Sequence, residues 1–302
     1  MNLRRLFKRF LIGGVLLILG SSLVLWGAVM MLWGRDAYFS PIPRLESYEA
    51  QKDLAHQVQD KAASASEIFA PRLYWNWPLR AYQTLLDRYP ERASQDENVW
   101  AGMGDCYMFL KRFNKAIECY QRRLDLFKTQ YYEKDYPQKR EVGVLKTELE
   151  EIRWIANIHG QIANAYLGMK QPHQAIAEYE KVIKEFGPKL QKHDSWEQYK
   201  IVGGAYEQIA FIYANWIRDY QKAMAVYEAI IQYFPEKHNA ISDAKTAIAD
   251  CYVAIGNLEK AKALYRTIIE EYPDPKTGYA WTAKQHLKQV ESGDLARWRV
   301  GS

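Results

Sequence analysis

The sequence of 302 residues has few of the residues that interrupt helices, with 17 glycines and 11 prolines. This low content disfavours a fold of many short strands joined by tight turns and favours long helices. It also has only three cysteines, Cys106, Cys119 and Cys251, and no Cys-x-x-Cys spacing that would indicate a metal or redox site. An odd number permits one disulfide at most. Because free cysteine packs as a small apolar side chain, we expect three buried thiols.

Beyond the first ten residues, the sequence lacks an excess of charge of one sign. The formal net charge is +5, but Arg4, Arg5, Lys8 and Arg9 contribute four of these charges. The rest of the chain carries only about +1, with the signs interspersed, so no basic stripe remains to neutralise phosphates. We therefore expect no nucleic-acid partner.

The sequence contains one long uncharged segment, residues 11–34. As a helix it would span about 36 Å, which is enough to cross a hydrocarbon core. A cleaved signal peptide would have a shorter apolar region and a small-x-small site, which Val29–Leu32 does not offer. Arg4 and Arg5 leave a twin-arginine export signal as a further alternative, but an uncleaved transmembrane signal anchor fits best.

The basic residues 1–10 predict the orientation of this anchor, because positive flanks stay in the cytoplasm. Everything after residue 35 then lies on the opposite side. In a bacterium, this places the chain in the inner membrane with its main domain in the periplasm. Residues 35–49 would form a linker.

Four later segments align on one helix-turn-helix template, each with small residues and tyrosines at the same positions. A small residue on the first helix is followed three residues later by a tyrosine, and an alanine on the second helix by another tyrosine. The matching positions are Gly104, Tyr107, Ala116 and Tyr120; Ala163, Tyr166, Ala175 and Tyr179; Ala210, Tyr213, Ala223 and Tyr227; and Ala249, Tyr252, Ala261 and Tyr265. Small side chains let two helices approach closely, while Pro235 and Pro273 end the last two helix pairs.

This pattern resembles the tetratricopeptide-repeat (TPR) family. The resemblance implies an all-α fold, a right-handed solenoid of helix-turn-helix repeats, preceded here by the transmembrane helix. The spacing is irregular, because the positions equivalent to Gly104 recur after 59, 47 and 39 residues. The extra residues lie between Lys128 and Lys146, around Pro188–Ser195, and in the turn Trp216–Asp219 of the third repeat. The first helix of that repeat should begin at Gly203-Gly204.

We therefore predict the following organisation after the linker. It comprises a degenerate repeat at 50–92 interrupted at Pro71 and Pro78, TPR 1 at 97–130, an elongated helical insert at 131–155, TPR 2 at 156–189, TPR 3 at 203–237, TPR 4 at 242–275 and a capping helix at 277–291. A cap is expected because an end repeat has no neighbour to cover its apolar face.

No motif in the sequence indicates catalysis. The six histidines are scattered and do not pair at metal-ligand spacing, and Gly203-Gly204 lacks the residues of a phosphate loop. We expect no catalytic or metal site, no cofactor and no small-molecule substrate.

The resemblance implies instead a protein-binding groove lined by the first helix of each repeat. By repeat phase, its residues are Asn98, Asp105, Met108, Asn157, Asn164, Glu207, Phe211, Asn215, Asp243 and Asp250. The alternative is that these are ordinary solvated positions. The set contains four acids and no lysine or arginine, so capture of a carboxylate is disfavoured. A neutral or basic peptide segment, or a partner helix, fits better.

Two functions remain open. The first is a membrane-anchored adaptor that recruits or stabilises a multiprotein complex at the periplasmic face. The second is a chaperone-like role in which the repeats hold unfolded exported chains or cytochrome precursors. The long helix before TPR 2 and the stretch Trp75–Pro78 are candidates for additional contact surfaces.

Overall fold

A computed structural model describes residues 41–69, 72–129, 148–191 and 195–298. The regular structure in these ranges is entirely helical, as the repeat pattern predicts. The predicted anchor at 11–34 lies outside them, together with the basic residues before it and most of the insert at 131–155. Within the described ranges, no helix is both long and apolar enough to span a membrane.

The chain divides into two compact units, the first ending at Leu126 and the second beginning at Phe127. The described helices of the first unit are α1 (Tyr48–Phe69), α2 (Asn76–Arg88), the short α3 (Pro90–Ser94), α4 (Glu97–Phe109) and α5 (Phe113–Phe127), whose last residue begins the second unit. Helix α1 packs on α2, and α2 packs on α4. The segment predicted as a degenerate repeat thus contains a packed helix pair.

Within the stretch Trp75–Pro78, the first and last residues belong to the core of the first unit, whereas Asn76 and Trp77 are partly exposed. Trp75 is buried and its ring stacks on that of Phe109 at a centroid distance of 3.8 Å. Pro78 is buried in the first turn of α2 and does not interrupt that helix. Proline is compatible with a first turn because its missing N–H would have no partner there.

In the second unit, successive helices form antiparallel pairs joined by short turns. They are α6 (Glu148–Gly168), α7 (Pro172–Leu190), α8 (residues 195–217), α9 (Tyr220–Tyr233), α10 (His238–Ala254), α11 (Leu258–Glu271) and α12 (Trp281–Glu291). Each helix from α7 to α11 packs on the next, and α12 packs on both α11 and α10. The small residues of the template are buried as predicted: Gly104, Ala116, Ala163, Ala175, Ala210, Ala223, Ala249 and Ala261.

Helix α8 begins earlier than the repeat pattern predicts. It starts at Ser195, includes π-helical turns at Tyr199–Gly203 and Tyr213–Ile217, and contains Gly203 and Gly204 in its interior. A π turn accommodates one additional residue within a helix. The second π turn therefore absorbs the extra residue that the sequence places in this repeat.

The four repeats share one turn conformation between their paired helices. Lys111, Lys170, Arg218 and Gly256 adopt φ values of 56°, 60°, 62° and 81° at equivalent positions. This left-handed conformation ends a helix and lets the chain reverse, at a steric cost for every residue except glycine. Side-chain caps then start two of the following helices, at Asp219 and Asn257.

Candidate protein-binding groove

In the first unit, the predicted groove residues lie on one face of α4. Asn98 is exposed, Met108 is half-buried, and Asp105 lies between them. The Asp105 carboxylate accepts a hydrogen bond from the Tyr120 hydroxyl at 2.7 Å and a longer one from Gln59 Nε2 at 3.5 Å. Burial raises the pKa of Asp105, and these hydrogen bonds only partly oppose the effect. Asp105 is thus mainly engaged within its own repeat.

In the second unit, α6 presents Asn157 and Asn164 on an exposed face. The two are seven residues apart, so they lie on the same side of the helix. Nearby Trp154 is 42% exposed, and its ring stacks on that of Phe127 at 6.4 Å between centroids. This surface offers amide and aromatic contacts beside Arg153, which is paired with Glu197.

An acidic site lies between α8 and α10. The Tyr199 hydroxyl donates to Glu207 Oε1, and the exposed Asp243 is close enough to sense the Glu207 charge. The pKa of Asp243 is raised by desolvation of its carboxylate beside the packed helices and by repulsion from Glu207. A cation placed here would relieve that repulsion.

Three predicted groove residues meet at one pocket in the second unit. Phe211 and Asn215 of α8 and Asp250 of α10 border a pocket of about 310 Å³. Tyr220, Tyr227 and small side chains of α10 complete most of the remaining wall. The apolar ring of Phe211 is 47% exposed and is therefore available for contact. The pocket can therefore accommodate an apolar or aromatic side chain from a partner.

Asp250 is the most heavily engaged acid of this groove. Its Oδ1 accepts hydrogen bonds from the Tyr265 hydroxyl, from His286 Nδ1 at 2.8 Å and from Trp298 Nε1 at 3.0 Å. These donors come from α11, from α12 and from the segment that follows α12. One carboxylate thus joins the fourth repeat, the capping helix and the end of the described chain.

Sequence reasoning missed Arg297 and Trp298, which form part of the pocket wall. They follow the capping helix and carry no repeat signature, so repeat phase could not assign them to the groove. The only available signal was their composition, an arginine-tryptophan pair flanked by Arg299 in an otherwise nondescript segment. The first-helix positions alone suggested a groove without basic residues. Arg297 shows that the pocket wall does contain one.

The cysteines are buried and unpaired, as predicted. Burial raises the pKa of the Cys119 and Cys251 thiols to about 12, so both stay protonated and weakly reactive near neutral pH. Over the described ranges, no group of three or more histidine, cysteine or acidic side chains is arranged to hold a metal ion.

Comparisons with known proteins identify the repeats. Family models described as tetratricopeptide repeat match residues 97–128 and 156–185, and a further tetratricopeptide-repeat model matches residues 218–287. Among curated proteins, no significant match is found.

Several solved structures are similar in fold. MamA is 16% identical with a TM-score of 0.43, covering 74% of this chain and 92% of its own. YrrB, described as a TPR protein with an unusual peptide-binding site, is 15% identical with a TM-score of 0.39, covering 80% and 98%. A thermophilic TPR protein of Thermus thermophilus is 14% identical with a TM-score of 0.32, covering 76% and 98%.

The matched residues include both helices of TPR 1 and of TPR 4, most of the helix pair of TPR 2, α9 of TPR 3 and most of α12. Repeats of this type act as protein-interaction scaffolds and are typically non-catalytic. The described ranges form an all-α, TPR-like helical solenoid, with tetratricopeptide repeats at the matched residues 97–128, 156–185 and 218–287.

Proposed function

We propose that this protein is a membrane-anchored interaction scaffold that recruits or stabilises a protein complex at the periplasmic face of the inner membrane. The observation that carries the proposal is the groove of the second unit, where an exposed aromatic ring, Phe211, lies beside a pocket and one helical turn after Glu207, which interacts with Asp243. Exposed aromatic rings are frequent anchors of protein interfaces. The acids favour a partner segment that is neutral or basic.

The anchor at residues 11–34 would strengthen binding by holding the scaffold at the membrane, close to its partners. A tethered scaffold meets membrane-bound partners at a high effective concentration, so that modest affinity at each groove suffices. Residues 1–10 supply the positive charge that would keep the amino terminus in the cytoplasm. Reporter fusions after residue 298 test this orientation, and activity only in the cytoplasm would overturn the periplasmic placement.

The decisive experiment is capture of partners from detergent-solubilised membranes by the full chain. We expect one protein to co-purify in a near-stoichiometric amount. The double variant Phe211→Ala/Asp243→Asn should lower its recovery about tenfold, which corresponds to roughly 1.4 kcal/mol. The matched control is Glu259→Gln, an acid that is 86% exposed on α11, and it should have no effect. Equal capture by all three chains would contradict a role for this groove.

A chaperone-like role is the second candidate. It is favoured by the number of exposed aromatic side chains in the second unit, which include Trp154, Trp196, Phe211, Trp216 and Trp281. It predicts weak binding of many unfolded polypeptides and no stoichiometric partner. A permanently unfolded, reduced test protein should then bind to the purified scaffold, whereas its folded form should not.

A further inference from the structure

The segment that follows α12, residues 292–298, lies on the second unit as a bound peptide would. We call it the return segment. Helix α12 ends where the Asp294 N–H donates to the Gln289 carbonyl at 3.0 Å, and the chain then turns back. Leu295 and Trp298 pack on the hydrophobic cluster formed by α10, α11 and α12.

Trp298 makes the most specific contacts of this segment. Its Nε1 donates to Asp250 Oδ1 at 3.0 Å, and its ring meets the His286 ring edge-to-face at 5.5 Å between centroids. An indole that packs on one side and donates a hydrogen bond on the other is a strong recognition element. Asp250 is itself one of the predicted groove residues, so the return segment already occupies part of the groove.

The charges on the two sides are complementary. The groove of the second unit carries Glu207, Asp243 and Asp250. The return segment brings Arg297 to the pocket wall and continues into Arg299 in the sequence, while its one acid, Asp294, accepts a hydrogen bond from the Ala296 N–H within the segment. The pocket remains open beside Trp298, between Phe211 and Asp250. There is thus space next to the segment for a further side chain.

We propose that this groove is a binding site for short, turn-forming segments in which a tryptophan is flanked by arginines, and that the return segment is its internal ligand. A partner of the same chemistry would compete with the return segment for Asp250 and the pocket. The inference rests on the proposed scaffold function and identifies the partner chemistry. The protein would then bind strongly only to partners that displace its own segment.

The test uses the full chain and a fluorescent peptide with the sequence of residues 292–302, SGDLARWRVGS. The tethered segment competes at an effective concentration near millimolar, so wild type should bind the peptide weakly. The variant Trp298→Ala should bind it at least about tenfold more tightly. The matched control is Trp281→Ala, because Trp281 is 66% exposed on α12, and it should behave as wild type.

Two further measurements keep the result interpretable. A peptide in which the tryptophan is alanine should not bind, and adding Phe211→Ala to Trp298→Ala should abolish binding. If Trp298→Ala does not fold, Trp298→Phe replaces it, because phenylalanine keeps an aromatic ring but cannot donate to Asp250. This variant should bind the peptide more tightly than wild type, by less than the Trp298→Ala variant would.

Equal binding to wild type and to Trp298→Ala, or no binding to a folded variant, would overturn the internal-ligand proposal. Capture of a membrane partner that depends on Phe211 and Asp243 would still support the scaffold function in that case. The two proposals can therefore fail separately.

Discussion

The first and fourth repeats place the same two side chains at the same positions but use them differently. Asp105 accepts from Tyr120 and Asp250 accepts from Tyr265, with 15 residues between partners in both. In the first repeat, the pair is supplemented by the charge of Arg123 and by a long contact from Gln59. In the fourth, the same carboxylate oxygen also accepts from His286 and Trp298.

This difference shows how one repeat position can serve two purposes. The tyrosine–aspartate bond fixes the two helices of a repeat to each other, which is a local task. At Asp250 the bond is extended to α12 and the return segment, so a repeat position also holds the cap. In the proposed competition, the acid that joins the last repeat to the cap is the one that a ligand must reach.

The largest expected effect comes from removing the two acids. Asp250→Ala leaves three donors without their acceptor, and we expect a loss of about 3 kcal/mol in the unfolding free energy of the second unit. Asp105→Ala leaves mainly the Tyr120 hydroxyl unpaired, and should cost the first unit about 1–2 kcal/mol. Hydrogen exchange resolved by mass spectrometry measures the two units separately. Equal losses would mean that the additional bonds of Asp250 contribute nothing.

The repeat template explains how much of this could be predicted. It indicated the buried small residues, such as Gly104, because close packing of helices restricts side-chain size. It could not locate the start of α8 at Ser195, since a π turn has no sequence signature of its own. It also missed Trp298, because the return segment packs through contacts that are distant in the sequence and obey no periodicity.

The groove shows the same limit. Repeat phase placed Phe211, Asn215 and Asp250 on first helices, and they do border one pocket. Phase alone could not tell that Asp105 and Asp250 would be satisfied internally, because their tyrosine partners were assigned to packing. The partner of a polar side chain depends on three-dimensional neighbours rather than on spacing along one helix.

A second comparison concerns Gly104, which is alanine in the other three repeats. A methyl group at Gly104 would lie well inside van der Waals contact of the Tyr120 ring, and Tyr120 is buried and hydrogen-bonded to Asp105. We expect Gly104→Ala to destabilise the first unit by about 2 kcal/mol through overpacking. The reciprocal change Ala249→Gly should cost the second unit about 1 kcal/mol, mainly through helix propensity. Thermal unfolding with unit-resolved exchange checks both, and stabilisation by Gly104→Ala would disprove the steric argument.

The turns provide a smaller test of the same kind. Lys111 in the first repeat and Gly256 in the fourth share the left-handed conformation. Lys111→Gly should stabilise the first unit by roughly 0.5–1 kcal/mol, and Gly256→Ala should destabilise the second by about 1 kcal/mol. Urea denaturation of each variant measures these shifts. Two changes of the same sign would show that the turns are not equivalent.

The smallest effect, and the one with the clearest sign, concerns pH. Burial raises the pKa of Asp105 above its ordinary value near 3.8, so the folded first unit holds this proton more tightly than the unfolded chain. Lowering the pH from 7 through the raised pKa therefore favours the folded state at this site. Relative to Asp105→Asn, the wild-type first unit should gain stability as the pH approaches 4.

For Glu178 in the second unit, we expect the opposite dependence of the unfolding free energy on pH. Burial alone would raise its pKa, but hydrogen bonds with His159 at 2.7 Å and from Lys181 at 2.6 Å outweigh that effect and lower it. The stabilisation that Glu178 gives the folded second unit is complete above about pH 4.5. It is lost as the pH falls through the lowered pKa. Relative to Glu178→Gln, the wild-type second unit should lose stability over that fall. The stability difference between wild type and Asp105→Asn and that between wild type and Glu178→Gln should therefore change in opposite directions with pH. If both changed in the same direction, these carboxylates would not control the acid response of their units.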